Sequence, residues 1–222
     1  MTSVSVKPLP ILYSFRRCPY AMRARMGLLL MQRQVELREV VLKDKPESLL
    51  GFSPKGTVPV LVLPNGQVIE QSLEIIDWAV ATNNSPLKPP SSAEIQLIAT
   101  NDNEFKSSLD RYKYYDRFPE HDQQYYREQG LVFLSQLEQQ LSDKLYLYGD
   151  EISYSDIAIF PFVRQFAHVD LVWFEQADLV QLKRWLGSLL TSEYFITTMT
   201  KFKQWQPDSP VVTFGATCEE LL

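Results

Sequence analysis

A change of character at residues 82–92 constrains this chain more than any other feature. That stretch holds Asn83, Asn84, Pro86, Pro89 and Pro90 and almost nothing to bury, which reads as an interdomain linker. Before it, strand-like runs alternate with helix-like ones. Residues 9–15 are apolar and extended in character, while 19–31 place Tyr20, Ala21, Ala24, Leu28 and Met31 at helical spacing. Residues 35–42 read as a strand carrying Val35, Leu37, Val40 and Val41, and 43–52 as a loop with a short helix. Residues 58–63 form another strand, followed by Pro64-Asn65-Gly66 and Val68-Ile69, a strong hairpin signal. A helical stripe over 72–81 closes this half. The order β-α-β-α-β-β-α implies a small mixed sheet, its first strands parallel through a crossover helix and its last two a hairpin.

After the linker the periodicity is helical throughout, over about 93–111, 121–142, 153–168, 178–190 and 192–203. The expected organisation is therefore an α/β domain over 1–81, a linker over 82–92, an all-helical domain over 93–206 and an unassigned tail over 207–222. At 45% hydrophobic content the chain fills a core, and its formal charge of -5 argues against non-specific nucleic-acid binding. Two cysteines, Cys18 and Cys218, are too few and too far apart for a disulfide scaffold and suggest a reducing compartment. The opening MTSVSVKPLP lacks the apolar core of a signal peptide, and no run reaches the length of a membrane span. A cytoplasmic location with no membrane partner is expected. His121 and His168 lack metal-ligand spacing, so no metal is expected either.

The most informative segment is Phe15-Arg16-Arg17-Cys18-Pro19-Tyr20, which follows a strand and opens a helix. Pro19 sits where a first-turn proline is tolerated, so Cys18 falls at the helix N-terminus. Unpaired N–H groups and the helix dipole favour an anion there, and Arg16, Arg17, Arg23 and Arg25 add positive potential. Cys18 is thus a candidate thiolate nucleophile, against the bland reading of a buried, inert cysteine. Position 21 is alanine, so no Cys-x-x-Cys pair exists and the oxidised form should be a mixed disulfide with a small thiol. Pro59 marks a strand edge or a special turn, since it cannot donate to a ladder. Ser72 reads either as the N-cap of the third helix or as part of a carboxylate site at that helix start. Ser153 and Asp156 have the N-cap/N3 spacing of a structural cap, with Ile152 and Ile157 as a hydrophobic staple; Pro161 inside that helix implies a kink or an offset start.

Taken together, these segments resemble the glutathione transferase superfamily, in particular its cysteine-containing omega-like, beta-like and glutaredoxin-like bacterial-type members. The resemblance rests on Cys18-Pro19-Tyr20-Ala21 with Arg23 and Arg25, on Lys55-Gly56-Thr57-Val58-Pro59-Val60-Leu61, on Gln71-Ser72-Leu73-Glu74-Ile75 and on residues 149–156. It implies a thioredoxin-like first domain and a helical-bundle second domain, with Cys18 as the catalytic cysteine and glutathione as cosubstrate. By the same resemblance Pro59 is the cis proline, Val58 backbone groups pair with the cysteinyl part of glutathione, and Gln71 and Ser72 hold the γ-glutamyl carboxylate. The resemblance also implies Lys45 as the basic group near the glycine carboxylate, by a looser match within an irregular loop. Many members with a catalytic cysteine carry Glu-Ser where this chain has Gln71-Ser72, with its acid one place earlier at Glu70.

The run Asp110–Phe118, rich in aromatic and cationic side chains, offers Arg111, Tyr112 and Tyr115 to a second substrate, packing of an interhelical loop being the alternative, and Trp173 is expected on the far wall or at a dimer contact. The expected reaction is glutathione-dependent thiol transfer or deglutathionylation through Cys18, acting on a mixed disulfide. The alternatives are conjugation of glutathione to a small electrophile, or a non-enzymatic binding module on the same fold. A homodimer is a family expectation.

Overall fold

The computed structural model describes residues 8–81 and 86–215, so Cys218 and part of the expected linker lie outside the described residues. The chain divides into two compact units, one drawn from Met1–Pro86 with Thr197–Leu222 and the other Leu87–Ile196.

In the first unit the alternating pattern becomes β1 (Ile11–Ser14), α1 (Pro19–Leu30), β2 (Val35–Glu39), α2 (Glu47–Phe52), β3 (Val60–Val62), β4 (Val68–Ile69) and α3 (Ser72–Val80). This is the thioredoxin-like order read from the sequence. β1 and β2 pair in parallel, whereas β1–β3 and β3–β4 are antiparallel. The hairpin register opposes Leu61 to Ile69, and the Asn65 side chain accepts from the Gln67 N–H at 3.0 Å. Strand alternation sends Tyr13, Val60 and Val62 to one face, where Leu49 of α2, Val40 and Val58 complete a buried cluster. Helices α1 and α3 pack against each other.

A fifth strand, β5 (Thr213–Phe214), pairs antiparallel with β2 and gives the order β4-β3-β1-β2-β5. This corrects the expected boundaries, because residues 197–206 belong with the sheet and not with the helical domain. Within the expected tail, residues 207–215 also run on the first unit. The Leu37 N–H donates to the Val212 carbonyl and the Trp205 N–H to the Glu39 carbonyl, so backbone bonds along the β2 edge carry the return.

The second unit contains α4 (Ser92–Thr100), a π-helical turn (Asn101–Phe105), α5 (Lys106–Lys113), α6 (Gln123–Gln140), α7 (Tyr154–Ala167), α8 (Leu171–Gln176) and α9 (Val180–Leu190); α10 (Glu193–Thr198) crosses its boundary. The last helix is shorter than the expected 192–203, and α8 occupies a stretch assigned to no helix. Among the described residues no helix is long and apolar enough to cross a membrane. Phe105, Phe133 and Phe166 stack with centroids 4.9 and 5.5 Å apart. Gly130 permits this approach of α6 to α7, since a Cβ there would lie 2.3 Å from the Phe166 ring. The Ser153–Asp156 capping box is formed at the start of α7, and Pro161 lies inside that helix. Buried Asp156 also accepts from the Leu147 N–H at 3.0 Å and from Trp185 Nε1 at 2.7 Å. Burial raises its carboxyl above the ordinary aspartate range, against the hydrogen bonds that favour the charged form.

Candidate active site

Local chemistry at the end of β1 fixes the position of Cys18. Ser14 is the last strand residue, and Pro19 suits the first helical position because its fixed φ is helical and its missing N–H has no partner to lose, while it keeps Cys18 before it extended. Cys18 is the N-cap of α1, with φ -79° and ψ 124°, and its N–H donates to the Phe15 carbonyl at 2.9 Å. Its Sγ is partly buried against the Tyr13–Val58 cluster and donates to the Val58 carbonyl at 3.5 Å. That contact belongs to the protonated thiol; a thiolate gives it up in exchange for the N–H groups of the first helical turn.

A cavity of about 590 Å³ in the first unit is lined by Cys18, Tyr20, Lys45, Val58, Pro59, Gln71 and Ser72, together with Leu42, Glu70 and the 55–57 turn. The structure thus brings the expected sulfur and the five residues expected to hold glutathione to one place. The Val58–Pro59 bond is cis. Gly56 has φ +59°, and a Cβ there would meet Lys45 Nζ at 3.2 Å, so the absence of a side chain both permits the turn and leaves room for the ammonium.

At the start of α3 the structure removes the N-cap reading of Ser72. Gln71 is the N-cap and makes no side-chain cap, while Ser72 is the first helical residue. The Ser72 hydroxyl instead accepts from Arg23 Nη1 at 3.5 Å, and the Arg23 guanidinium also lies over the Tyr20 ring. Two helix N-termini without side-chain caps, α1 and α3, therefore open onto one cavity that Lys45 and Lys55 also line. Such ends favour anions through their unpaired N–H groups and dipoles.

Sequence reasoning missed Tyr20 and Glu70 as lining residues. Glu70 accepts from Ser53 Oγ at 2.5 Å and from Lys55 Nζ at 3.2 Å; the Ser53 hydrogen bond and then the lysine hold its carboxyl below the usual glutamate range. The neighbouring hydroxyls on β1 point elsewhere. Tyr13 is fully buried, donating to Ser48 Oγ at 3.0 Å, and Ser14 accepts from Arg25 Nε at 2.8 Å. Neither lines the cavity.

The residues expected to meet a second substrate divide. Tyr112, 1% exposed, packs on Phe166 with centroids 4.8 Å apart, so it belongs to the core of the helical unit and not to an open wall. Arg111 and Tyr115 are exposed, Arg111 over the Phe118 ring, and half-buried Trp173 lies under the Arg127 guanidinium at 4.5 Å. Among the described residues no group of three or more His, Cys, Asp or Glu side chains is arranged to hold a metal ion.

Comparison with known proteins agrees with this architecture. Residues 12–87 match the family described as glutathione S-transferase, N-terminal domain, and residues 127–188 its C-terminal domain. Glutathione S-transferase U28 of Arabidopsis thaliana is 30% identical over 161 residues, 70% of this chain and 72% of that protein. A glutathione transferase family member from Pseudomonas fluorescens, solved with two glutathione bound, superposes with a TM-score of 0.73 at 18% identity, covering 89% of this chain and 95% of that one. Glutathione transferase Omega 3C of Trametes versicolor gives the same score at 17% identity, covering 90% and 92%. With both domain families matched in order, and a curated relative at that identity and coverage, the chain belongs to the glutathione S-transferase family.

Proposed function

We propose that the cavity of the first unit binds glutathione and that the chain is a glutathione-dependent transferase. The observation that carries this reading is the convergence of two uncapped helix N-termini, a thiol and a lysine on one cavity. Glutathione is a thiol flanked by two carboxylate ends, and the cavity offers a complementary group for each. The N–H groups at the start of α3, with Gln71 and Ser72, take the γ-glutamyl carboxylate. Lys45 takes the glycine carboxylate, and the Val58 backbone beside Pro59 takes the cysteinyl portion.

Two reactions are compatible with that arrangement. In thiol transfer, the Cys18 thiolate attacks the glutathionyl sulfur of a mixed disulfide. A new S–S bond forms as the old one breaks, and the other thiol leaves as its thiolate. A second glutathione thiolate then attacks the Cys18 adduct, releasing oxidised glutathione and restoring Cys18. In conjugation, the glutathione thiolate attacks an electrophilic carbon and displaces its leaving group, with the α1 terminus stabilising the sulfur's charge. The transferase names of the similar proteins weigh towards conjugation as the broader activity. The sulfur of Cys18 in the cavity, with Tyr13 and Ser14 turned away from it, weighs towards thiol transfer at this site and towards a cysteine-type member of the family. The working expectation for location and assembly is a cytoplasmic homodimer.

Cys18→Ser separates the reactions. Loss of disulfide exchange with retained glutathione binding supports transfer through Cys18; unchanged exchange in that variant removes Cys18 from the chemistry. Retained conjugation by Cys18→Ser assigns conjugation to the bound glutathione itself. A wild-type protein that fails to bind immobilised glutathione and turns over neither substrate class overturns the enzyme reading.

A further inference from the structure

Beneath the Cys18 turn lies a buried ion pair that neither proposed reaction uses. Arg25, on α1, is fully buried, and Glu39, at the end of β2, is 9% exposed. Arg25 Nη2 donates to Glu39 Oε2, Nε donates to Ser14 Oγ at 2.8 Å, and Nη1 to the Thr198 carbonyl at 3.2 Å. The other Glu39 oxygen accepts the backbone N–H of Arg16 at 2.8 Å, inside the turn that delivers Cys18. The Glu39 carbonyl accepts from the Trp205 N–H at 2.9 Å, and Arg16 Nη1 reaches the Met199 carbonyl at 3.3 Å. The rings of Phe202 and Phe214, both on the returning segment, lie 6.0 and 5.7 Å from the Arg25 guanidinium carbon. The Glu39 carboxylate thus joins the Cys18 turn to α1, and the Glu39 carbonyl and Arg25 tie both to the segment that ends in β5.

We propose that Glu39 and Arg25 are positioning residues for Cys18, Glu39 fixing the turn through the Arg16 N–H and the two opposed charges setting the potential at the sulfur. This rests on the reading of Cys18 as the reactive thiol. Arg25 stays cationic in practice, although burial lowers its affinity for the proton and Glu39 opposes that effect. A negative charge on Cys18 is favourable to Arg25, so the guanidinium favours the thiolate while Glu39 partly cancels it. The sign follows directly. Neutralising Glu39 leaves the arginine unopposed and makes the thiol more acidic; neutralising Arg25 leaves the carboxylate unopposed and makes it less acidic. Both substitutions leave the other charged and titratable groups of the site in the chain, namely Tyr20, Lys45, Lys55 and Glu70 in the cavity and Arg16, Arg17 and Arg23 on the turn and helix, Arg16 being the one that Glu39 also holds.

The test is the rate of Cys18 alkylation by iodoacetamide against pH, followed by peptide mapping so that Cys218 is counted separately. Wild type, Glu39→Gln, Arg25→Gln and the double variant are compared. At a pH below the midpoint, E39Q is expected to label about threefold faster than wild type and R25Q about threefold slower, the scale of one charge acting through partly solvated protein. The double variant is expected to stay between the two. General loosening would move both single variants the same way; shifts of the same sign, or no shift in either, overturn the proposal. Where a single variant does not fold, Glu39→Asp takes its place: it keeps the charge but withdraws it from the Arg16 N–H. It is expected to keep the wild-type midpoint while changing the plateau rate, and a midpoint displaced in either direction overturns the proposal. A wild-type midpoint at the ordinary cysteine value of about 8.5 overturns the Cys18 reading itself and leaves the opposed shifts to be judged separately.

Discussion

The two units treat the starts of their helices differently. In the helical unit a side chain meets the start of α4 (Ser91), α6 (Asp122), α7 (Ser153) and α8 (Asp170), while α5 continues from the π-helical turn without a cap. At α9 the carboxylate of Glu138, from α6, accepts from the N–H groups of Gln181 and Leu182 at 3.0 and 2.7 Å, and Ser192 accepts from Phe195 at the start of α10. In the first unit Cys18, Pro46 and Gln71 precede α1, α2 and α3, and none makes a side-chain cap. The starts of α1 and α3 open on the cavity instead. A cap stabilises by satisfying N–H groups that a ligand would otherwise use. The difference sets helix starts closed by the protein's own side chains against two that face a cavity, the pair that the proposed glutathione site uses.

Three substitutions sharpen or break this contrast. The largest effect is expected for Asp156→Ala, which leaves the N–H groups of Leu147 and Ser153 and the Trp185 indole without their acceptor in a buried place. A loss of about 3 kcal/mol or more is expected in denaturant unfolding, with Cys18 alkylation of the folded protein unchanged. A variant as stable as wild type would show that the cap is decorative. Next, Gln71→Asp supplies α3 with the kind of cap found in the helical unit. Stability is expected to rise by about 0.5–1 kcal/mol while glutathione KM increases about tenfold, because a fixed carboxylate takes the N–H groups and repels the incoming one. Unchanged KM would mean that this helix end is not an anion site. The smallest effect concerns Glu70, whose carboxyl is held low by Ser53 and Lys55. A carboxyl lowered in the folded state stabilises it above the ordinary glutamate range and loses that contribution as pH falls through the folded-state value. Thermal midpoints measured from pH 6 down to pH 3 should therefore converge for wild type and Glu70→Gln at the acid end, with wild type higher above it.

The parts legible in the sequence are those set by near neighbours. Cys18-Pro19 announces a thiol at a helix start, Asn65-Gly66 announces a hairpin, and Ser153 with Asp156 announces a cap, because each signal is complete within a few residues. Where the outcome depends on distant chain, local pattern failed. Ser72 reads as a cap until Arg23 is seen to engage its hydroxyl, and Tyr112 reads as part of an open aromatic run until Phe166 is found against it. Glu70 carried no motif of its own, and its role in the cavity appears only when Ser53 and Lys55 close around it. The two residues of β5 are too few to show a period, and their partners Val35 and Glu36 lie on the far side of the entire helical unit in sequence.

That last pairing bears on the order in which the protein is made. β2 emerges early in synthesis, but the strand that covers its edge emerges only after the helical unit. Until then the nascent sheet presents an uncovered row of backbone donors and acceptors to neighbouring chains. The edge of β2 is thus the last part of this sheet that synthesis can complete.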